Sequence, residues 1–392
     1  MRRRDFMKLG AALAATAAVE IAFPGASTAW AAPASTPYKK LLVLIELKGG
    51  NDGLNTLVPY SDPTYYELRP KLAVPRDQVL QLTDQAGLHP SLEALLPAWK
   101  LGQMAVLQGV GYDTPNLSHF RSIEIWDTAS DSGTYLQAGW LTRAFAATPT
   151  PRTFAADGVI IGTNDLGPLS GSATRAIALT STEQFLRQAR LAHPEGHATN
   201  PALAHILKVE ADVVQAAAHL NTRREFSTTF PQTGFGNAIR TAAQVVANPA
   251  GVAVVRVTLN GFDTHSGQPA TQARLLRELA EGLSALRSSM LELERWDDTL
   301  VLTYAEFGRR ARENLSQGTD HGTANVHFAL GGAVKGGMYG AAPALGRLDG
   351  NGNVAHALEF RSVYATVLEQ WWNVPSRTAL GGRFSPVPFL RS

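Results

Sequence analysis

Lys40-Leu41-Leu42-Val43-Leu44-Ile45-Glu46-Leu47 is a nearly continuous apolar run, and it stops at Lys48-Gly49-Gly50-Asn51-Asp52-Gly53. A short apolar run closed by glycines predicts a central strand of a parallel sheet, buried on both faces. Downstream, Gln103 to Gln108 predicts a second strand ending at Gly109, after a helix from Ser91 to Leu101 capped by Ser91 and bent or ended at Pro97. Helical pattern returns from Ser118 to Thr128. Val252 to Leu259, rich in β-branched residues, predicts a third strand. Leu275, Leu279, Leu283, Leu286, Met290 and Leu293 then recur at helical spacing over about five turns. Thr299 to Tyr304 follows as the next strand, so strand, helix and strand form a parallel crossover unit. A last strand is expected at Val326 to Gly331 and a terminal helix at Arg361 to Trp372. The fold class is therefore α/β, with a mostly parallel central sheet flanked by helices on both faces. The middle, 145–235, reads as a less regular insertion with a short apolar piece at Gly158 to Ile161 and a helix from Asn200 to Leu220.

The chain has 392 residues, 45% of them hydrophobic and 17% charged, with 35 Gly, 22 Pro and no Cys. Such a composition excludes disordered, collagen-like and coiled-coil classes and leaves room for a large core. The formal charge of +2 is accounted for by residues 1–31, where Arg2, Arg3, Arg4 and Lys8 face only Asp5 and Glu20. Nothing in the remainder favours nucleic acid or an anionic membrane surface as partner. Arg3-Arg4-Asp5-Phe6-Met7-Lys8, an Ala-rich apolar stretch and Ala29-Trp30-Ala31 predict a twin-arginine export signal over residues 1–31. A linker over 32–39 and a single domain over 40–392 complete the expected organisation, with a periplasmic or secreted destination. A chain without Cys forms no disulfides and suits folding before export. No later stretch approaches the roughly 20 apolar residues of a membrane span.

The acidic, His and Ser residues fall in one kind of place. Asp52 follows the first strand, Ser118 and His119 the second, Asp263 and His265 the third, Glu306 the fourth, and Asp320 with His321 precede the last. In an open parallel sheet the carboxyl ends of the strands share one crevice, so these positions can converge. Carboxylates and imidazoles without Cys suit a hard or borderline divalent metal, one ion or two. Each residue also has a structural reading. Asp52 fits a turn, Ser118 an N-cap, Asp263 with His265 a helix cap, Glu306 a partner for Arg309 or Arg310, and His327 either a core position or a ligand. There is no Gly-x-Ser-x-Gly elbow, His-Glu-x-x-His helix, Walker loop or Gly-x-Gly-x-x-Gly turn.

Six ordered blocks carry a resemblance: Glu46 to Thr56, Gly87 to Pro90, Asn116 to Phe120, Gly261 to His265, Glu306 to Arg309 and Gly318 to Ala324. They resemble an exported bacterial family known as domain of unknown function fifteen-oh-one, grouped with the alkaline phosphatase and sulfatase superfamily. The resemblance implies an alkaline-phosphatase-like fold, two metals, usually zinc, and a nucleophile that attacks a phosphate or sulfate ester. It implies Asp52 as a ligand to one metal, Ser118 as nucleophile, and Asp263, His265 and His321 as ligands to the other. Glu306 falls where the superfamily has an Asp followed by a ligand His, and here Phe307 follows instead. One site thus lacks a ligand unless Asp320, His119 or His327 replaces it. Arg121, one turn after Ser118, and Arg309 are the expected clamps on the non-reacting oxygens. The expected function is metal-dependent hydrolysis of a small anionic ester. The rival is a non-catalytic exported protein that keeps the fold for binding or envelope assembly, which Phe307 favours.

Overall fold

The computed structural model describes residues 38–179 and 224–391, with four isolated positions at 200, 207, 211 and 214. The expected export signal and the helix from Asn200 to Leu220 lie outside the described residues or almost so. Nine strands form the main sheet among the described residues. Those used below are β1 (Leu41–Lys48), β2 (Met104–Gly111), β3 (Ala156–Ile161), β4 (Ala176–Leu179), β5 (Val252–Asn260), β6 (Thr299–Tyr304), β7 (Asn325–Leu330), β8 (Gly337–Tyr339) and β9 (Leu358–Glu359). Their spatial order is β8-β2-β7-β6-β1-β5-β3-β4, with β9 also paired to β2.

β1 is central as expected, parallel to β5 on one side and β6 on the other. Its alternation explains the apolar run. Val43, Ile45 and Leu47 enter one core with the helices α3 (Gly234–Val246) and α4 (Gln268–Glu292). Leu42 and Leu44 enter a second core with α1 (His119–Thr128), α2 (Trp140–Ala147) and α5 (Phe360–Ala365). Both faces are covered, so neither face of β1 carries the polar positions that mark a half-exposed strand. The one charge in its interior, Glu46, pairs with Arg256 of β5 at 2.9 Å and accepts from Thr258 at 2.7 Å.

β7 runs antiparallel to both neighbours, β2 and β6. Reversal matters because the start of a reversed strand lies at the same sheet edge as the ends of parallel ones. Asn325 at the head of β7 stands opposite Val110 near the end of β2. The residues just before β7 therefore reach the crevice that β1, β2, β5 and β6 open.

Several local expectations change. His89 caps the segment Pro90–Leu95, its Nδ1 accepting from Ser91 N at 3.1 Å, so Ser91 is not the cap. Pro97 opens the following helix Leu96–Lys100, where a missing N–H costs nothing. β2 continues through Gly109, which takes φ 65° inside the strand. α4 is 25 residues long, two turns beyond the Leu repeat. Tyr38 is packed against Phe145 and Trp372, so the expected linker ends before it. A small antiparallel sheet of Leu57–Val58, Gly87–Leu88 and Leu80–Gln81 has no counterpart in the sequence reading. Among the described residues no helix is long and apolar enough to cross a membrane.

Candidate metal centre

Four loops meet beyond the strand ends. β1 stops because Gly49 and Gly50 adopt φ 112° and 81°. Side chains there would be strained, and a Cβ on Gly49 would collide with the backbone of Phe262 and Asp263, one on Gly50 with the Phe307 ring. The β1 loop can thus lie directly against the loops after β5 and β6. Arg309 knits them. Its guanidinium donates to the carbonyls of Gly50 at 2.7 Å, Thr319 at 2.9 Å, Phe262 at 2.9 Å and also Gly49, and to Asp263 Oδ1 at 2.7 Å.

Around Asp263 stand three imidazoles. His321 Nε2 lies 3.2 Å and His265 Nε2 3.1 Å from Asp263 Oδ1, and His119 Nε2 lies 3.4 Å from Oδ2. The Nε2 atoms of His265 and His321 are 3.0 Å apart. His119, Asp263 and His321 each offer a donor atom within 4.8 Å of the other two. The opposite ring nitrogens are held from behind. His119 Nδ1 meets Glu306 Oε1 at 3.0 Å, His265 Nδ1 meets Asp320 Oδ1 at 3.4 Å, and His321 Nδ1 meets the Leu117 carbonyl at 2.8 Å.

A carbonyl only accepts, so His321 Nδ1 carries its proton and the neutral ring turns the Nε2 lone pair toward Asp263. The carboxylates behind His119 and His265 select the same tautomer. Lone pairs and carboxylate oxygens then face one another across about 3 Å, which is repulsive unless a cation lies among them. Donors of a tetrahedral zinc at about 2.0–2.1 Å are spaced by roughly 3.3 Å; the three Nε2–carboxylate distances and the His265–His321 distance are 3.0–3.4 Å, and the His119, Asp263 and His321 donors all lie within 4.8 Å of one another. The donor set fits a divalent metal. Burial depresses the His321 imidazole below its ordinary pKa, with Arg309 adding to the effect, which keeps it neutral as a ligand must be. Partial burial opposes ionisation of Asp263, but the hydrogen bond and charge of Arg309 together with His321 and His265 outweigh it and hold the carboxyl below the usual range. The Asn314 amide does the same for Asp320.

Asp52 is not in this group. It is buried, and its four acceptor positions are filled: Arg69 Nη1 at 2.6 Å and Gln268 Nε2 on Oδ2, Arg69 Nη2 at 3.0 Å and Leu54 N at 3.2 Å on Oδ1. A carboxylate so occupied has no lone pair for a metal. Arg69 spends its other donors on Asn55 Oδ1, Ala311 O and Arg310 O. The expectation of Asp52 as a ligand is thereby corrected to a structural ion pair. Gln268 links it to the site, since its Oε1 accepts from Thr264 at 3.0 Å and Thr319 at 2.7 Å, neighbours of Asp263 and Asp320.

Other expected residues also shift. Glu306 and Asp320 stand behind histidines and Glu306 Oε1 also takes Gly49 N at 2.8 Å. Arg121 is turned to the loop after α1, donating to the carbonyls of Asp131, Ser132 and Thr134, with the Tyr135 ring 3.9 Å from its guanidinium carbon. Neither Arg121 nor Arg309 is a free clamp, because backbone carbonyls already hold both. His327 is buried in β7 against Trp126 with no partner for either nitrogen among the described residues, so it is a core residue. Phe307 packs against His119 and His321, ring centroids 4.9 and 4.4 Å away, and forms a wall of the site. Ser118 caps α1 by position only. It is exposed, and its hydroxyl makes no hydrogen bond among the described residues. His119, weighed in sequence only as a replacement ligand, is brought into the centre.

The family described as "Protein of unknown function (DUF1501)" matches residues 39–381. No curated protein matches the chain. Among solved structures it is similar to the C-terminal periplasmic domain of EcEptC from Escherichia coli in complex with Zn, at 10% identity, with 76% of this chain and 73% of that one covered and a TM-score of 0.37. It is similar to the lipoteichoic acid synthase LtaP from Listeria monocytogenes, at 9% identity, 86% and 72% coverage and a TM-score of 0.38. It is also similar to alkaline phosphatase from the Antarctic bacterium TAB5, at 11% identity, 78% and 94% coverage and a TM-score of 0.35.

Proposed function

Since the chain belongs to the DUF1501 family, whose function is not known, its chemistry rests on the site, and we propose an exported hydrolase of phosphate or sulfate esters with a single metal centre. The observation that carries this is the convergence of three imidazole Nε2 atoms on Asp263, each imidazole held from behind. His119, His265, His321 and Asp263 would hold the ion, with zinc suited to the three nitrogens and one oxygen. When bound, a divalent cation supplies Lewis acidity to an oxygen placed against it. The carboxylate expected to hold a second ion, Asp52, is taken by Arg69.

The residues divide the remaining work. Glu306, Asp320 and the Leu117 carbonyl fix ring orientation and tautomer. Ser118 directly precedes a metal-facing histidine at the start of a 10-residue helix. The first backbone N–H groups of that helix have no intrahelical acceptor and favour negative charge nearby. Ser118 Oγ attacks phosphorus or sulfur, the alcohol departs with a proton, and water cleaves the resulting serine ester to restore the hydroxyl. Metal analysis, then turnover of aryl phosphates and aryl sulfates by wild type and Ser118→Ala, tests the reading. Loss of at least roughly a thousand-fold in kcat is expected for Ser118→Ala. Equal turnover by the two proteins would sink the serine mechanism.

The sealing of Asp52 also favours a second reading, in which the protein keeps metal and fold for binding alone. Stoichiometric metal without turnover of any ester would favour it.

A further inference from the structure

Resting on the hydrolase reading, the geometry points to Arg310 as the residue that binds the non-reacting oxygens of the anionic ester. The arginines around the centre are unequal. Arg69 and Arg309 are fully buried and Arg121 nearly so, and carbonyls and carboxylates hold all three. None can turn to a ligand without abandoning bonds that join loops.

Arg310 is different. An antiparallel bridge pairs Arg309 with His321, and Arg310 N donates to the Asp320 carbonyl at 3.0 Å, which sets Arg310 across from Asp320. Asp320 in turn supports His265. The backbone of Arg310 is therefore anchored at the flank of the metal centre, while among the described residues its guanidinium is left free. Its nearest acidic oxygen is Asp320 Oδ2 at 4.0 Å, too far for a hydrogen bond. None of its side-chain nitrogens makes a hydrogen bond among the described residues. Nε is shielded from solvent and also lacks a partner among the described residues, so the Arg310 side chain is not committed to other groups as those of Arg69, Arg121 and Arg309 are. The side chain is 40% exposed, so the fork is accessible.

Charge points the same way. Asp263, Glu306 and Asp320 place three carboxylates at the centre, against Arg309 and one divalent ion. An anionic ester meets no net attraction from that set. Arg310 supplies the missing positive charge, and its planar fork matches two oxygens of a phosphate or sulfate.

The test uses zinc-loaded protein, with inorganic phosphate and inorganic sulfate as calorimetric probes and 4-nitrophenyl phosphate and sulfate as substrates. Arg310→Gln, Arg310→Lys and the charge control Arg295→Gln are compared with wild type. Arg295 sits at the opposite sheet edge, and among the described residues its side chain reaches only the Lys39 carbonyl, at 3.4 Å. Arg310→Gln is expected to weaken anion binding and raise KM by about ten-fold or more, with Arg310→Lys intermediate and zinc affinity unchanged. Arg295→Gln should match wild type. An anion Kd and KM unchanged in Arg310→Gln overturn the assignment while leaving the hydrolase reading intact. Anion binding that depends on Arg310 in a protein without turnover supports the assignment and sinks the hydrolase reading. Zinc-loaded wild type that binds neither anion overturns both.

Discussion

Nδ1 of His119 lies 3.0 Å from Oε1 of Glu306, 187 residues away in the chain. The contact determines which nitrogen of His119 faces Asp263. Glu306 Oε1 also receives the Gly49 N–H, while Oε2 is buried without a partner among the described residues. One oxygen thus ties the loop after β1, the loop after β6 and the start of α1 together.

Glu306→Gln keeps an acceptor for Gly49 but removes the charge that fixes and strengthens His119. Zinc affinity should fall by about 10–100-fold, the usual cost of losing a partner behind a ligating histidine. Competition with a chromophoric chelator measures it. Unchanged affinity would mean that His119 is not a ligand.

Asp52 and Arg69 form a closed pair, with side chains 1% and 0% exposed. Removing one member strands a buried charge, so Arg69→Met should destabilise the metal-free protein by about 3–5 kcal/mol in urea denaturation. Asp52→Asn should still bind zinc at one equivalent per chain. Loss of the ion in Asp52→Asn, or two equivalents in wild type, would restore Asp52 as a ligand.

His321 has the most constrained ring of the three, held by the Leu117 carbonyl and facing both Asp263 and His265. His321→Ala should abolish stoichiometric zinc and with it the thermal shift that zinc produces in wild type, since an ion that binds only the folded state raises its stability. A zinc-dependent rise in Tm retained by this variant would place the ion elsewhere.

The strand-end rule located the centre because it depends only on sheet direction. Lys40 to Leu47 showed a strand buried on both faces, and a common crevice for Asp263, His265 and Glu306 follows from that. It applied equally to Asp52, which fails for a reason with no sequence signature. Arg69 arrives from a neighbouring short helix and occupies the carboxylate first. The same blindness misplaced Arg121 and Arg309, since a guanidinium that satisfies carbonyls looks in sequence like one that awaits a ligand. His119 was visible, but a helix start offers Ser118 and His119 together, and only the packed rotamer shows that the ring turns to Asp263. The reversal of β7 was not legible either. An apolar strand reads the same in both directions, and its direction depends on which neighbours it finds.

His327 shows how the core sets a pH dependence apart from the metal. Burial drives its pKa down to about 3, and neither ring nitrogen has a partner among the described residues. His89, with burial as the leading cause, is lowered to about 4. For a histidine depressed in the folded state, the unfolded chain takes up the proton first. Stability is then fully present above the unfolded pKa near 6.5 and falls as pH drops toward the folded values. Metal-free protein should therefore lose Tm steeply between pH 7 and pH 5. Substituting His327→Leu removes two unpaired buried nitrogens and one proton from that linkage. The variant should match or exceed wild type at pH 7 and lie clearly above it at pH 5 in thermal melts. Parallel Tm profiles for the two proteins across that range would show that His327 is protonated within the folded core.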